Sequence, residues 1–286
     1  MKPVEKFIKN TEKTMLLPLA LFVVALLFLG AKQIQTGSYV DRGVDLTGGR
    51  LITIEFSGNI DQTALENRLK SVYGDVSVRV AESVGSKVLL VQTSLDTDPK
   101  EVVSFLEKDV NILSSSYQET GPALGEAFWY QTQFAIIFAF FIMALVVFLI
   151  FRKIVPSVAV IFNSFSDLVL TVSVMNLLGI RLSLAGLAGI LMLLGYSVDT
   201  NILLITRVTK SFEDTFVKRV SSSMNTGLTM TATTFAALSC LYLVSTSPVL
   251  REVALILIIG LVIDMINTWT VNVGLLKRFG DVGWRS

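Results

Sequence analysis

The sequence predicts a polytopic α-helical membrane protein with six transmembrane helices. It adds a small α+β extracytoplasmic domain between helices 1 and 2. Two observations predict this. Six apolar stretches, at 15–31, 131–151, 155–178, 182–206, 227–246 and 252–276, are long enough, or nearly so, to cross a hydrocarbon core of roughly 30 Å. Only one sizeable polar segment, 32–130, interrupts them. Of the 286 residues 52% are hydrophobic, only modestly above a soluble domain, so the length of the apolar runs decides the class.

Residues 1–14 form a basic tail with Lys2, Lys6, Lys9 and Lys13, and the run at 15–31 follows it. No clean small-residue cleavage site comes next and five further spans do, so this run is expected to stay as an anchor. Arg152 and Lys153 follow the second span, Arg207, Lys210, Lys218 and Arg219 the fourth, and Lys277, Arg278 and Arg285 the sixth. With six alternating spans these cations share one side, while the opposite short connections hold only Arg181 and Arg251. The positive-inside rule then makes both termini, including the tail 277–286, cytoplasmic.

Within 32–130, Leu51–Phe56 alternates like a half-buried strand. Residues 61–73 read as a helix capped by Asp61, and Val76–Val80 and Lys87–Val91 as strands joined through Gly85. Asp98-Pro99 opens a helix to about Val110, with proline at the first helical position. The order β-α-β-β-α suggests a small ferredoxin-like sandwich. Fourteen carboxylates face nine bases in this segment, read as a solvated acidic surface. The connection 207–226 mixes charge with Phe212, Phe216 and Val217 on one helical face, as an interfacial amphipathic helix would.

The chain has no His and one Cys, Cys240. That excludes His-based acid–base catalysis, Ser-His triads, His-ligated metal sites, thiolate clusters and any intrachain disulfide. No metal and no cofactor are expected. No basic, aromatic-interleaved patch supports nucleic-acid binding. Carboxylates remain as proton-active groups. Asp199 is the sole charge between Leu182 and Thr206, and Asp167 and Asp264 sit near the middle of the third and sixth spans. One acid near the centre of a membrane helix costs about 2.5–3.5 kcal/mol on insertion scales. Such a carboxyl can take up and release a proton as its surroundings switch between dry and wet, the basis of a proton-coupled cycle.

Helical spacing puts Asn163, Asp167 and Thr171 on one stripe, Gly195, Asp199 and Thr206 on another, and Gly260, Asp264 and Thr268 on a third with Asn267 alongside. Tyr196, Ser197, Thr200 and Asn201 surround Asp199 with polarity. Thr226, Thr229, Thr233 and Cys240 share a face of the fifth span that permits close helix approach. The candidate proton route is therefore Asp199, Asp167 and Asp264 with Asn201 and Tyr196. The competing reading makes each acid a structural hydrogen-bond acceptor or a group at a water-filled edge.

Four motifs carry a family resemblance. Gly43-Val-Asp45-Leu-Thr-Gly48-Gly49 resembles the G-hydrophobe-D-hydrophobe-x-G-G signature of the SecD/SecF family, and Gly121-Pro122-Ala-Leu-Gly125 resembles its G-P-x-hydrophobe-G element. The stretch from Leu194 and Gly195 to Arg207 looks like the family's fourth-span motif, and Gly260–Trp269 is similar to the last span of its archaeal-type SecF branch. The resemblance covers nearly the whole chain. It implies an auxiliary subunit of the Sec machinery, in the resistance-nodulation-division superfamily. Such a subunit pairs with SecD into a twelve-span unit beside the translocon channel and uses the proton-motive force to draw secreted polypeptides outward. It implies that Asp199 matches the fourth-span acid linked to proton passage. Asp167 matches a third-span acid, where bacterial members often show His-Asp and this chain has Ser166-Asp167.

Two other functions are weighed against this one. Half of a proton-driven exporter of small molecules or lipids would share the superfamily. An intramembrane aspartyl protease would use paired membrane aspartates, but Asp199 follows Gly-Tyr-Ser-Val rather than Gly-x-Gly, and no Tyr-Asp pair occurs in any span.

Overall fold

The structure is a computed structural model that describes residues 8, 11–83, 86–107, 110–210 and 215–283. Lys2, Lys6, Lys9, Gly85, Phe212 and Arg285 lie outside the described residues. Among the described residues, five helices are long and apolar enough to cross a membrane. They are α1 (Leu16–Thr36), α4 (Pro122–Phe151), α5 (Ile154–Leu177), α6 (Leu184–Lys210) and α7 (Phe216–Val244). A further helix, α8 (Pro248–Asn267), continues through a π-helical turn (Thr268–Asn272) into α9 (Val273–Gly283). Arg251, Glu252 and Asp264 put three charges into α8, which keeps it apart from the other five, whose most apolar stretches hold fewer.

Helices α5 and α6 bury 56% and 50% of their most apolar windows, against 6–17% for α1, α4 and α7. The first two therefore form the middle of the bundle with α8 packed on both, and the other three form its rim. Close approach depends on glycine. A methyl group on Gly227 of α7 would meet Trp269 Cζ2 at 2.5 Å, and one on Gly260 would collide with Leu193 of α6.

The segment between α1 and α4 folds into a four-stranded antiparallel sheet in the order β2-β3-β1-β4. The strands are β1 (Gly49–Ser57), β2 (Ser77–Ser83), β3 (Ser86–Thr93) and β4 (Asn111–Thr120). Helices α2 (Gln62–Tyr73) and α3 (Pro99–Leu106) belong to the same unit. Alternation places Ile52, Ile54 and Phe56 in one core with Leu65 and Leu69 of α2 and Val102 and Leu106 of α3. Asp61 caps α2 by accepting from the Thr63 and Ala64 amides, and Asp98 caps α3 through the Lys100 amide.

Strand β4 has no counterpart in the sequence reading, because it carries no apolar alternation. Eight of its ten residues are exposed, and it is held by backbone pairing with β1 on one side. The expected connection at 207–226 is also shorter. Helix α6 runs to Lys210, and α7 starts at Phe216 and continues to Val244. Phe216 and Val217 pack against a bundle cluster that includes Val220 and Trp269, so their apolar face is spent inside the protein.

The glycine motifs clamp the sheet unit to the bundle. Residues Val44–Thr47 make one helical turn against the start of α4. Gly48 has φ +81°, and a methyl there would meet Pro122 Cα at 2.7 Å. A methyl on Gly125 would meet the Thr47 carbonyl carbon at 2.8 Å and overlap the Gly48 amide nitrogen. The Gly43 amide donates to the Leu182 carbonyl at 2.8 Å, tying the same turn to the α5–α6 connection. Asp45 accepts from Gln118 of β4 at 3.2 Å.

A second tether is polar. Lys32 at the outer end of α1 pairs with Asp41 at 2.6 Å and donates to Asn176 of α5 at 2.8 Å. Beneath the sheet lies a cavity of about 510 Å³ lined in part by Asp45, Arg79, Gln118, Arg181 and Glu252. Burial lowers the pKa of the Arg79 guanidinium from its usual value, and Glu252 across the cavity partly offsets this.

Candidate functional site: a buried acid pair

Asp167 of α5 and Asp264 of α8 meet at the centre of the bundle. Asp167 is 1% exposed and Asp264 is 0% exposed. Asp167 accepts from Ser197 Oγ at 2.7 Å, Asn267 Nδ2 at 2.8 Å and Asn163 Nδ2 at 3.2 Å. Asp264 Oδ1 accepts from Thr268 Oγ1 at 3.1 Å. The two carboxyls belong to one network, because Asn163 Nδ2, which donates to Asp167, also donates to Thr268 Oγ1 at 3.2 Å. Among the described residues no Lys or Arg pairs with either acid.

The surrounding polarity follows from helix periodicity. Asn163, Asp167 and Thr171 fall on one stripe of α5, and all three are buried. Gly260, Asp264 and Thr268 do the same on the last helix. Helix α6 contributes Ser197 and Asn201. Asn201 Nδ2 donates to the Ser197 carbonyl at 2.7 Å, and Asn201 Oδ1 accepts from Asn272 Nδ2 and lies 3.4 Å from Thr268 Oγ1. Asn272 has no place in the sequence reading. Five residues past Asn267, it would diverge from it on a regular helix, and the π turn keeps both inside. The visible signal is only that both asparagines interrupt an apolar span.

Asp199 does not join this pair. It is exposed on the outer face of α6 with Met192 and Gly195, at i, i+3 and i+7. Arg207 donates to the Ser222 carbonyl at 2.9 Å, which fixes the antiparallel register of α6 and α7. Counting back from that contact puts Asp199 and Thr229 at one depth, roughly 10–12 Å in, at 1.5 Å per residue. Thr229, Thr233 and Cys240 are exposed there too, and Thr226 is half-buried. Tyr196 stands apart from the acids, packed with Leu193, Leu238 and Leu257.

Comparison with known proteins decides the family. Residues 101–282 match the family described as "Protein export membrane protein SecD/SecF, C-terminal". The chain belongs to the SecD/SecF family. It is 39% identical over 271 residues to "Protein-export membrane protein SecF" of Pyrococcus furiosus, covering 94% of this chain and 91% of that one. It is 38% identical over 284 residues to the protein of the same name from Methanothermobacter thermautotrophicus, covering 98% and 96%.

The fold matches a solved SecDF, "a translocon-associated membrane protein", from Thermus thermophilus, with a TM-score of 0.73 at 20% identity. The match covers 98% of this chain, which spans 40% of the length of the solved one. A heavy metal efflux pump shares the fold more distantly, with a TM-score of 0.50 at 14% identity over 88% of this chain.

Proposed function

We propose that this chain is the SecF-type half of a protein-export complex, working with SecD beside the Sec channel on secreted polypeptides. It sits in the cytoplasmic membrane with six spans, the sixth being α8 and its continuation, and with both termini cytoplasmic. The sheet unit is its ferredoxin-like extracytoplasmic domain. The buried pair Asp167–Asp264 carries the reading, since two carboxyls in one buried network form a group that one proton more or less converts between two charge states. Loss of a proton leaves a net charge in apolar surroundings, and a shift of helices that admits water relieves it. Movement of α5 and α8 would reach the sheet unit through the Gly43–Leu182 and Lys32–Asn176 contacts.

Asp199 has the second role. On the rim beside the threonines of α7, it faces the SecD half and forms the outer step of the proton route, with Asn201 on the inner face of the same helix. The family relationship to proteins named for export supports the export role, and no covalent chemistry is assigned.

The test is export by membranes carrying Asp264→Asn or Asp199→Asn, with expression and SecD association measured alongside. Loss of proton-dependent export with association intact is expected, and full export by both variants would sink the proton role. The fold shared with the efflux pump keeps one other reading open, half of an exporter of small molecules or lipids. Co-purification with a self-dimer instead of SecD would favour it.

A further inference from the structure

Two adjoining cavities open on the flank between α1 and α4. The first, of about 590 Å³, is polar, with Arg42, Glu126 and Tyr130 in its wall. The second, of about 270 Å³, is lined mostly by apolar side chains, among them Leu29, Ile136, Leu168, Val172 and Ile190. Trp129 and Gln133 line both. Along α4 the polar cavity draws on Pro122 to Gln133 and the apolar one on Trp129 to Ile137. Polarity therefore falls in one direction, from the sheet unit into the bundle. Leu29, Leu168 and Ile190 lie seven, nine and six residues from the ends of α1, α5 and α6 nearest the sheet unit. At 1.5 Å per residue all three sit roughly 9–14 Å in, within one leaflet of a ~30 Å core. The mouth is open, since Ile137 and Tyr130 are exposed, and the floor at Ile190 is buried.

A polar compartment joined to an apolar one at this depth has the shape of an amphiphile. Size excludes a helix. A helix 10 Å wide and 12 Å long fills roughly 900 Å³, about three times the apolar cavity. Chemistry excludes an extended peptide, whose backbone N–H and C=O groups would be buried among side chains that offer them almost no partner. A hydrocarbon chain meets neither obstacle. Charge selects the head. Arg42 is half-buried, with its guanidinium 5.0 Å from the centre of the Trp129 ring, and Tyr39 packs on the same indole at 5.5 Å. Stacking fixes the plane of a guanidinium and leaves its edge to donate, a fork that fits a phosphate. Glu126, exposed in the wall of the polar cavity, can accept from a hydroxyl or ammonium beyond that phosphate.

We infer that these joined cavities bind one phospholipid, its phosphate on Arg42 and one hydrocarbon chain between α1, α4 and α5. Binding follows from the cavities themselves, and only the assignment to the outer leaflet rests on the proposed topology. The apolar cavity is lined also by Leu182, whose carbonyl accepts from the Gly43 amide and whose amide donates to the Asp41 carbonyl at 2.7 Å. A chain seated there braces the joint between the sheet unit and the bundle.

The test is native mass spectrometry of the full-length chain in detergent, titrated with palmitoyl-oleoyl phosphatidylglycerol and, separately, with the diacylglycerol of the same chains. One phospholipid per chain should survive the collisional activation that strips loosely held lipid. The diacylglycerol, which lacks the phosphate, should bind about tenfold more weakly. Arg42→Gln should remove that preference, and Arg42→Lys should keep part of it. Leu29→Trp and Ile136→Trp, which fill the apolar cavity from α1 and from α4, should each abolish retention. Leu27→Trp, at an exposed position of α1, should not. Equal retention of phospholipid and diacylglycerol overturns the inference, and so does retention unchanged in both cavity-filling variants. Displacement of the lipid by a hydrophobic signal-sequence peptide at equal concentration assigns the cavities to polypeptide and overturns it as well. The assay requires neither SecD nor export. Loss of the lipid site therefore leaves the export reading standing, and export indifferent to the acid variants leaves the lipid site standing.

Discussion

Helix α6 has two faces that carry similar polar residues and meet opposite surroundings. Ser197 and Asn201 point into the bundle, where each is 0% exposed and tied to the acid network. Gly195 and Asp199, two residues before each of them, are exposed on the rim. The inner face completes its hydrogen bonds within this chain, so its chemistry is a property of the single subunit. The outer face puts a carboxyl at membrane depth with no side-chain hydrogen-bond partner among the described residues, so its chemistry depends on what covers it. Substitutions on the two faces should therefore separate stability from assembly.

The largest effect is expected at Asp167. Asp167→Ala removes the acceptor shared by Ser197, Asn267 and Asn163, leaving them only their weaker contacts to Ser164, Ser166 and Thr268. Each lost hydrogen bond is worth about 0.5–1.5 kcal/mol, so a total loss of roughly 2–4 kcal/mol is expected, read as a lower denaturation midpoint of the purified chain. A midpoint equal to wild type would mean that the inner face is not a self-contained network.

Next in size is the clamp that holds the sheet unit over the bundle. Gly125→Ala pushes a methyl against Thr47 and Gly48, with backbone on both sides and no flexible side chain to yield. Overpacking of this kind costs about 1–3 kcal/mol. Faster proteolysis at the junction of the sheet unit with α4 is expected, with the cleavage pattern of α5 and α6 unchanged. If α5 and α6 open equally, the clamp and the inner face of α6 are one cooperative unit, and the contrast between the two faces weakens.

How much of this was legible in the sequence follows the same division. The stripes Asn163–Asp167–Thr171 and Gly260–Asp264–Thr268 follow from periodicity alone, and the structure brings them together. Asp199 draws attention as the sole charge of its span, yet periodicity assigns a stripe and not the direction in which it faces. That direction is set by packing, through Gly260 against Leu193 and through the buried Ser197 and Asn201. Asn272 was hidden because a π turn breaks the spacing on which the reading relies. Strand β4 was hidden because an edge strand exposed on both faces has no apolar alternation to show. The glycine motifs were visible as a resemblance, while their cause, the close contact of Gly48 with Pro122 and Gly125, needed coordinates.

The smallest effect on stability is expected at Asp199, and it is the most informative about the outer face. Asp199→Asn in the isolated chain should stay within about 0.5 kcal/mol of wild type, as exposed substitutions usually do. Its consequence should appear only with the partner. With Cys240→Ser as background, Asp199→Cys and Thr229→Cys should react with a membrane-permeant thiol reagent in the isolated chain, since both positions are exposed at one depth. Both should be protected when SecD is co-expressed. Asn201→Cys, on the buried face two residues away, should stay unreactive in either case. Labelling of Asp199→Cys that ignores SecD would leave the outer carboxyl facing lipid in the assembled complex. No neighbouring helix would then be available to receive its proton, so the route through Asp199 would fail while the buried pair kept its own chemistry.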